Sequence, residues 1–140
     1  MAFWLFKSEP STWSWAQQWA KRPGPEEWSG VRNYQARNFM RAMAIGDLGF
    51  FYHSVAEKQI VGVVEIATTV HPDSTDFTGA WECVDIRAVA AFPRPVTLAQ
   101  VKADLELSQM ALVTSMRLSV QPVRPEEWQK ICKMGDYQIG

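Results

Sequence analysis

Between residues 28 and 38 the chain reads Trp28-Ser29-Gly30-Val31-Arg32-Asn33-Tyr34-Gln35-Ala36-Arg37-Asn38, which sets two aromatic rings, three amides and two guanidiniums side by side. Arg and Asn are seldom buried without partners, so a dense run of them beside Trp and Tyr marks a surface that meets a flat polar ligand. A nucleobase has that form: its faces stack on aromatic rings, its edges pair with amides, and its phosphate pairs with Arg. Trp28 and Trp81 stand where loops meet regular elements, places from which an indole can wall a pocket. Phe51 and Tyr52 are further candidate walls from a strand. Asn33 and Ser8 are candidates to read the base edge or order the pocket loop, His53 and Ser54 to close the floor, and Lys7, Arg32 and Arg37 to hold phosphates. The expectation is one concavity that joins Trp28, Asn33, Tyr52 and Trp81.

Catalytic readings have less support. The chain has no G-x-S-x-G, P-loop, H-E-x-x-H, G-x-G-x-x-G, or H-x-E followed by C-x-x-C, which leaves hydrolase-triad, NTPase, zinc and deaminase chemistry without a local motif. His53 could act as a general base, although a lone strand His is more often a hydrogen-bonded structural group. His71, beside Pro72, is expected at the surface. Lys7 and Glu9 could form an acid–base pair, with an ordinary surface ion pair as the simpler reading. Cys83 and Cys132 have no CxxC spacing and no neighbouring His, so two packed thiols are expected, with no metal and no cofactor. Of the other tryptophans, Trp4, Trp13, Trp15, Trp19 and Trp128 are expected in the core or anchoring helices.

A net charge of −1 argues against a non-specific polyanion binder. The first 60 residues hold seven bases against five acids, the last 80 seven against ten. The basic half is therefore the half with the Trp28–Asn38 segment, an imbalance suited to reading one or a few nucleotides. Residues 1–140 fit a single domain of the usual size, with an ordinary apolar fraction of 47%. No run reaches the ~18 apolar residues of a membrane span, and the start reads as a strand rather than a leader, so a cytoplasmic location is expected.

These side chains need elements to position them. Phe3 to Lys7 reads as a strand, Trp13 to Ala20 as a short helix capped by Ser11 or Thr12, and Arg22-Pro23-Gly24-Pro25 as a loop. Ala36, Phe39, Met40 and Met43 recur at helical spacing, which predicts an amphipathic helix over Asn33–Ala44 with the polar cluster in its first turn. Leu48–His53, Ile60–Thr69 and Trp81–Phe92 read as strands, with His71–Gly79 as a loop. Thr97 to Gln100 has the form of a capping box, Met110–Val113 is a short helix, Leu118–Val123 a last strand, and Pro125 opens a helix that Gly135 ends. Strands interspersed with short helices and lacking a βαβ rhythm predict an α+β fold, a small mixed β-barrel flanked by short helices.

The ordered series Trp4-Leu5-Phe6-Lys7-Ser8-Glu9-Pro10, Trp28 to Asn38, Gly46-Asp47, Phe51-Tyr52-His53-Ser54, Gly62-Val63-Val64-Glu65 and Leu118 to Val123 resembles the EVE domain family, from near residue 4 to near residue 134. That resemblance implies a PUA-like fold akin to the YTH readers of methylated RNA, and recognition of modified bases, notably cytosines in DNA, extruded into an aromatic-lined pocket. The loop from His71 to Gly79 is shorter than in many members. The implied activity is a non-enzymatic nucleic-acid-binding module for a modified, cytosine-derived base in DNA or RNA. Two rivals stand beside it: an ASCH-like hydrolase of a modified nucleoside, in which Lys7, Glu9 and Ser8 or Ser54 converge, and a protein-interaction module.

Overall fold

The apolar opening of the chain becomes an interior strand. In the computed structural model, which describes residues 1–138, the order of elements is β1 (Phe3–Ser8), α1 (Trp15–Ala20), β2 (Glu26–Glu27), α2 (Tyr34–Ala42), β3 (Leu48–His53), β4 (Gln59–Ile66), β5 (His71–Pro72), β6 (Glu82–Cys83), β7 (Asp85–Thr97), α3 (Leu98–Ala103), a 3-10 turn (Leu105–Leu107), α4 (Ala111–Thr114), β8 (Val120–Val123) and α5 (Pro125–Met134). Six strands form a mixed sheet in the order β2-β7-β4-β3-β1-β8, and β5 pairs with β6 as a separate ribbon. β1 runs parallel to β3, with Phe6 opposite Phe51, and antiparallel to β8, with Phe3 opposite Val123.

Both faces of this sheet are covered, because strand side chains alternate and apolar residues occupy both phases. Trp4, Phe6, Phe51 and Val64 meet Ala36 and Met40 of α2 on one face. Leu5, Phe50, Tyr52 and Val63 meet Val101, Leu112, Trp128 and Ile131 from α3, α4 and α5 on the other. The result is the expected α+β architecture, a sheet curled into a half-barrel with short helices on its flanks.

Local chemistry explains the boundaries. α1 starts later than expected because Ser14 is the cap: its side chain accepts from Gln17 N–H and the Gln17 side chain accepts from the Ser14 amide, the reciprocal arrangement that satisfies two free donors. Asn33 caps α2 by accepting the Ala36 N–H at 2.9 Å. Asp47 ends the following turn, its carboxylate receiving Ala44 N–H at 3.0 Å and the Trp4 indole N–H at 3.1 Å. The expected strand Trp81–Phe92 divides into β6 and β7, and β7 runs on to Thr97. Gly62 of β4 lies under the Trp15 ring so closely that a Cβ would overlap it, which fixes α1 against the sheet.

A candidate nucleic-acid interface

The ends of β1 and β2 open onto a cleft of about 520 Å³, within the usual range for ligand pockets. Lys7, Ser8 and Glu9 approach it from β1, Thr12 and Trp13 from the turn before α1, Glu26 and Glu27 from β2, Trp28 to Arg32 from the following loop, and Ser119 from the approach to β8. Trp28 is 7% exposed and is held edge-on by Phe6 at 5.4 Å and Phe51 at 5.7 Å between ring centroids. Trp13 is half-buried, its indole N–H donating to Gln18 at 2.9 Å. Two indoles thus border one opening, the first part of its floor and the second fixed beside it.

The cleft wall is anchored from behind by Asp73, whose residue is 2% exposed. One of its oxygens accepts the Gly30 amide at 2.8 Å and Arg32 Nη1 at 3.1 Å; the other accepts the amide and hydroxyl of Thr75 at 2.8 and 2.6 Å. Burial pushes this carboxyl up, but the Thr75, Gly30 and Arg32 donors outweigh it and hold it down to about 2. Gly30 takes φ +85 to present its amide, a conformation that suits glycine.

Other candidates are dispersed. Phe51 is fully buried beneath Trp15 and Trp28, so it supports the floor and cannot touch a ligand. Tyr52, one residue on, points to the opposite face of the sheet; with Ser54 it lines a different depression near Leu98 and Met116. Asn33 borders a third, beside Val113 to Leu118, with its oxygen engaged in the helix cap. Trp81 stacks on Tyr34 at 4.8 Å and is not part of the cleft lining, although the Arg32 guanidinium lies 5.7 Å from its ring centroid. The expectation of one concavity shared by Trp28, Asn33, Tyr52 and Trp81 is therefore corrected, because strand pleat and helix capping direct these side chains apart.

His53 is structural in geometry. Its Nε2 accepts the Trp15 amide at 3.0 Å, so Nδ1 carries the proton and donates to Glu57 at 3.1 Å. Ser8 borders the cleft, but its hydroxyl donates to the Trp13 carbonyl at 2.5 Å. The Ser54 amide closes onto the Ser8 carbonyl at 2.9 Å. Lys7 reaches the Met116 carbonyl at 2.7 Å rather than Glu9, and burial lowers its pKa. Arg32 is tied to Asp73 and Thr75, and Arg37 donates to the Ala80 carbonyl at 2.9 Å while its guanidinium lies 4.8 Å over the Tyr34 ring. Lys7 and Arg32 meet at the cleft; Arg37 does not.

Sequence reasoning missed two features. Trp13 reads from sequence as a packing residue, although it stands before the Ser14 cap, at the same kind of junction that singles out Trp28. His71 is half-buried, and the β5–β6 register sets it opposite Cys83, a proximity that 12 residues of separation conceal. Glu27, His71 and Cys83 bring ligand-type atoms within 4.8 Å of one another. As arranged, His71 offers no lone pair, because Nε2 meets Asp85 at 2.7 Å and Nδ1 meets the Pro72 carbonyl at 2.9 Å, both acceptors. Burial opposes the charged ring, but Asp85, the Pro72 carbonyl and Glu27 hold its pKa above the ordinary value. Burial, with Glu27, Asp73 and Asp85 nearby, pushes the Cys83 thiol up to about 12.

A family profile described as the EVE domain matches residues 2–134. The chain belongs to the EVE domain family. This EVE domain is 35% identical to human thymocyte nuclear protein 1 over 157 aligned positions, covering 89% of this chain and 70% of that protein. A crystal structure of an Agrobacterium tumefaciens protein superposes with a TM-score of 0.94 at 58% identity, covering 98% and 94% of the two chains. The human THYN1 protein, solved in complex with 5-methylcytosine-containing DNA, superposes at 0.91 with 32% identity and coverage of 99% and 100%. A Zygosaccharomyces rouxii YTH domain shares the fold at 0.60 with 17% identity, covering 99% of this EVE domain and 88% of that chain. The half-barrel is thus PUA-like.

Proposed function

We propose that this EVE domain is a non-enzymatic module that binds nucleic acid by taking a modified, cytosine-derived base into the cleft between Trp28 and Trp13. The observation that carries the reading is the cleft itself: a rigid indole set edge-on by Phe6 and Phe51, a second indole beside it, and hydrogen-bonding groups at the rim. Glu9, Glu26 and Glu27 outnumber Lys7 and Arg32 in its lining. Carboxylates accept hydrogen bonds from the exocyclic amine of cytosine, whereas an anion-binding cleft would need the opposite balance. The complex of human THYN1 with 5-methylcytosine DNA supports the same ligand class.

The same geometry gives less support to the hydrolase reading, although Lys7, Ser8 and Glu9 all line the cleft. A serine nucleophile needs an adjacent base, and Ser8 donates to a backbone carbonyl, Lys7 to another, and His53 has both ring nitrogens engaged. The test is a binding screen of short oligonucleotides carrying cytosine, 5-methylcytosine or other modified bases, with mass spectrometry of the ligand. Preference for a modified cytosine with unchanged ligand mass is expected. Equal affinity for every base, or turnover, would refute the reading.

A further inference from the structure

Phe77 is 97% exposed, the most solvent-exposed large apolar side chain among the described residues. Isolated exposed apolar residues are common, but this one stands at the tip of a loop held on both sides. Asp73 accepts the amide and hydroxyl of Thr75, and Asp76 accepts those of Thr78 together with the Trp81 amide at 2.9 Å. The ring is thus presented on fixed backbone.

The loop is continuous with the cleft wall. Ser74 donates its amide and hydroxyl to Glu27 at 3.1 and 2.6 Å, Asp73 accepts from Gly30, and Thr75 accepts from Arg32 at 3.0 Å; Glu27, Gly30 and Arg32 all line the cleft. Phe77 is two residues beyond Thr75, so its Cα lies within about 7 Å of the Thr75 Cα. A guanidinium stands at each root of the loop, Arg32 at Thr75 and Arg37 at Ala80.

We propose that Phe77 is a wedge that enters the base stack of a duplex and fills the space left by the base lodged in the cleft, with Arg32 and Arg37 facing the flanking phosphates. Drawing a base out of a duplex leaves its neighbours unstacked, and an inserted apolar side chain restores that contact. An aromatic ring suits the gap because every base offers a π-face. The proposal rests on the cleft being the base site, and it assigns the partner as a double strand.

The experiment compares wild type, Phe77→Ala, Phe77→Trp and Trp28→Phe on two probes, a duplex with one 5-methylcytosine and the same modified strand alone, each beside its counterpart with unmodified cytosine. Phe77→Ala is expected to weaken duplex binding roughly tenfold or more, leave single-strand binding within about twofold, and diminish the fluorescence rise of a 2-aminopurine placed beside the target base; Phe77→Trp restores both. Wild-type duplex affinity in Phe77→Ala would overturn the wedge, and so would equal loss on both probes, which marks an ordinary contact or a protein-docking residue. Failure of the cleft reading is distinguishable, because wild type would then show no preference for the modified base on either probe and Trp28→Phe would change neither.

Discussion

The Gly30 amide donates to the buried carboxylate of Asp73 at 2.8 Å, so the wall of the cleft and the loop behind it share one charged group. Held down to about 2 against an ordinary 3.8, that carboxyl contributes stability that is fully present above the ordinary value and is lost as pH falls through the folded one. Asp73→Asn should lower stability at neutral pH by ~1–3 kcal/mol, and the gap from wild type should close as pH falls from 3.8 toward 2. Denaturant melts across that range read it directly; a gap that stays constant would show that the charge is not what matters.

His71 has the opposite sign. Its pKa is raised above the ordinary 6.5, so its contribution is fully present below 6.5 and is lost as pH rises through the folded value. Asp85→Asn removes the carboxylate at 2.7 Å, and the His71 resonances in an NMR titration should then shift to a lower midpoint. An unmoved midpoint would place the positive charge elsewhere.

Trp28 and Trp13 separate packing from recognition. Trp28 belongs to the core, so Trp28→Ala should cost ~3–5 kcal/mol of stability and confound any binding assay. Trp28→Phe keeps an aromatic floor at lower cost. Trp13→Ala, at a half-buried site, should weaken oligonucleotide binding by ~1–3 kcal/mol, the worth of one stacked base, with a smaller change in melting temperature than Trp28→Ala. Unchanged affinity in Trp13→Ala would remove it from the site.

Gly62→Ala forces a methyl into the Trp15 ring and should destabilise by ~1–3 kcal/mol. In a double-mutant cycle with Trp15→Ala the two losses should not add, because the second change vacates the space. Additive losses would mean that backbone conformation at residue 62, rather than the ring above it, sets the cost.

Much of the scaffold was legible in the sequence because local chemistry specified it. The Thr97–Gln100 capping box and Pro125 opening α5 lie where the pattern put them. The site was less legible for three physical reasons. Pleat alternation separates Phe51 from Tyr52 although they are neighbours in sequence. The orientations of Lys7, Arg32 and Arg37 are set by carbonyls and a carboxylate that no local pattern reveals. The His71–Cys83 meeting depends on a ribbon register. Conversely, the polar cluster did mark the right neighbourhood, because Trp28 to Arg32 form one wall of the cleft.

Because Phe3 lies opposite Val123 while the same strand runs parallel to β3, no early portion of the chain can complete the sheet alone. Parallel and end-to-end pairings demand large loop closures before any stabilising contact forms. Folding should therefore wait until β8 has emerged during synthesis, with β1 carrying an unsatisfied edge until then. Refolding is expected in the slow, millisecond-to-second regime of domains dominated by non-local pairings, and a chain cut before Val120 should remain a substrate for chaperones rather than form a smaller version of the domain.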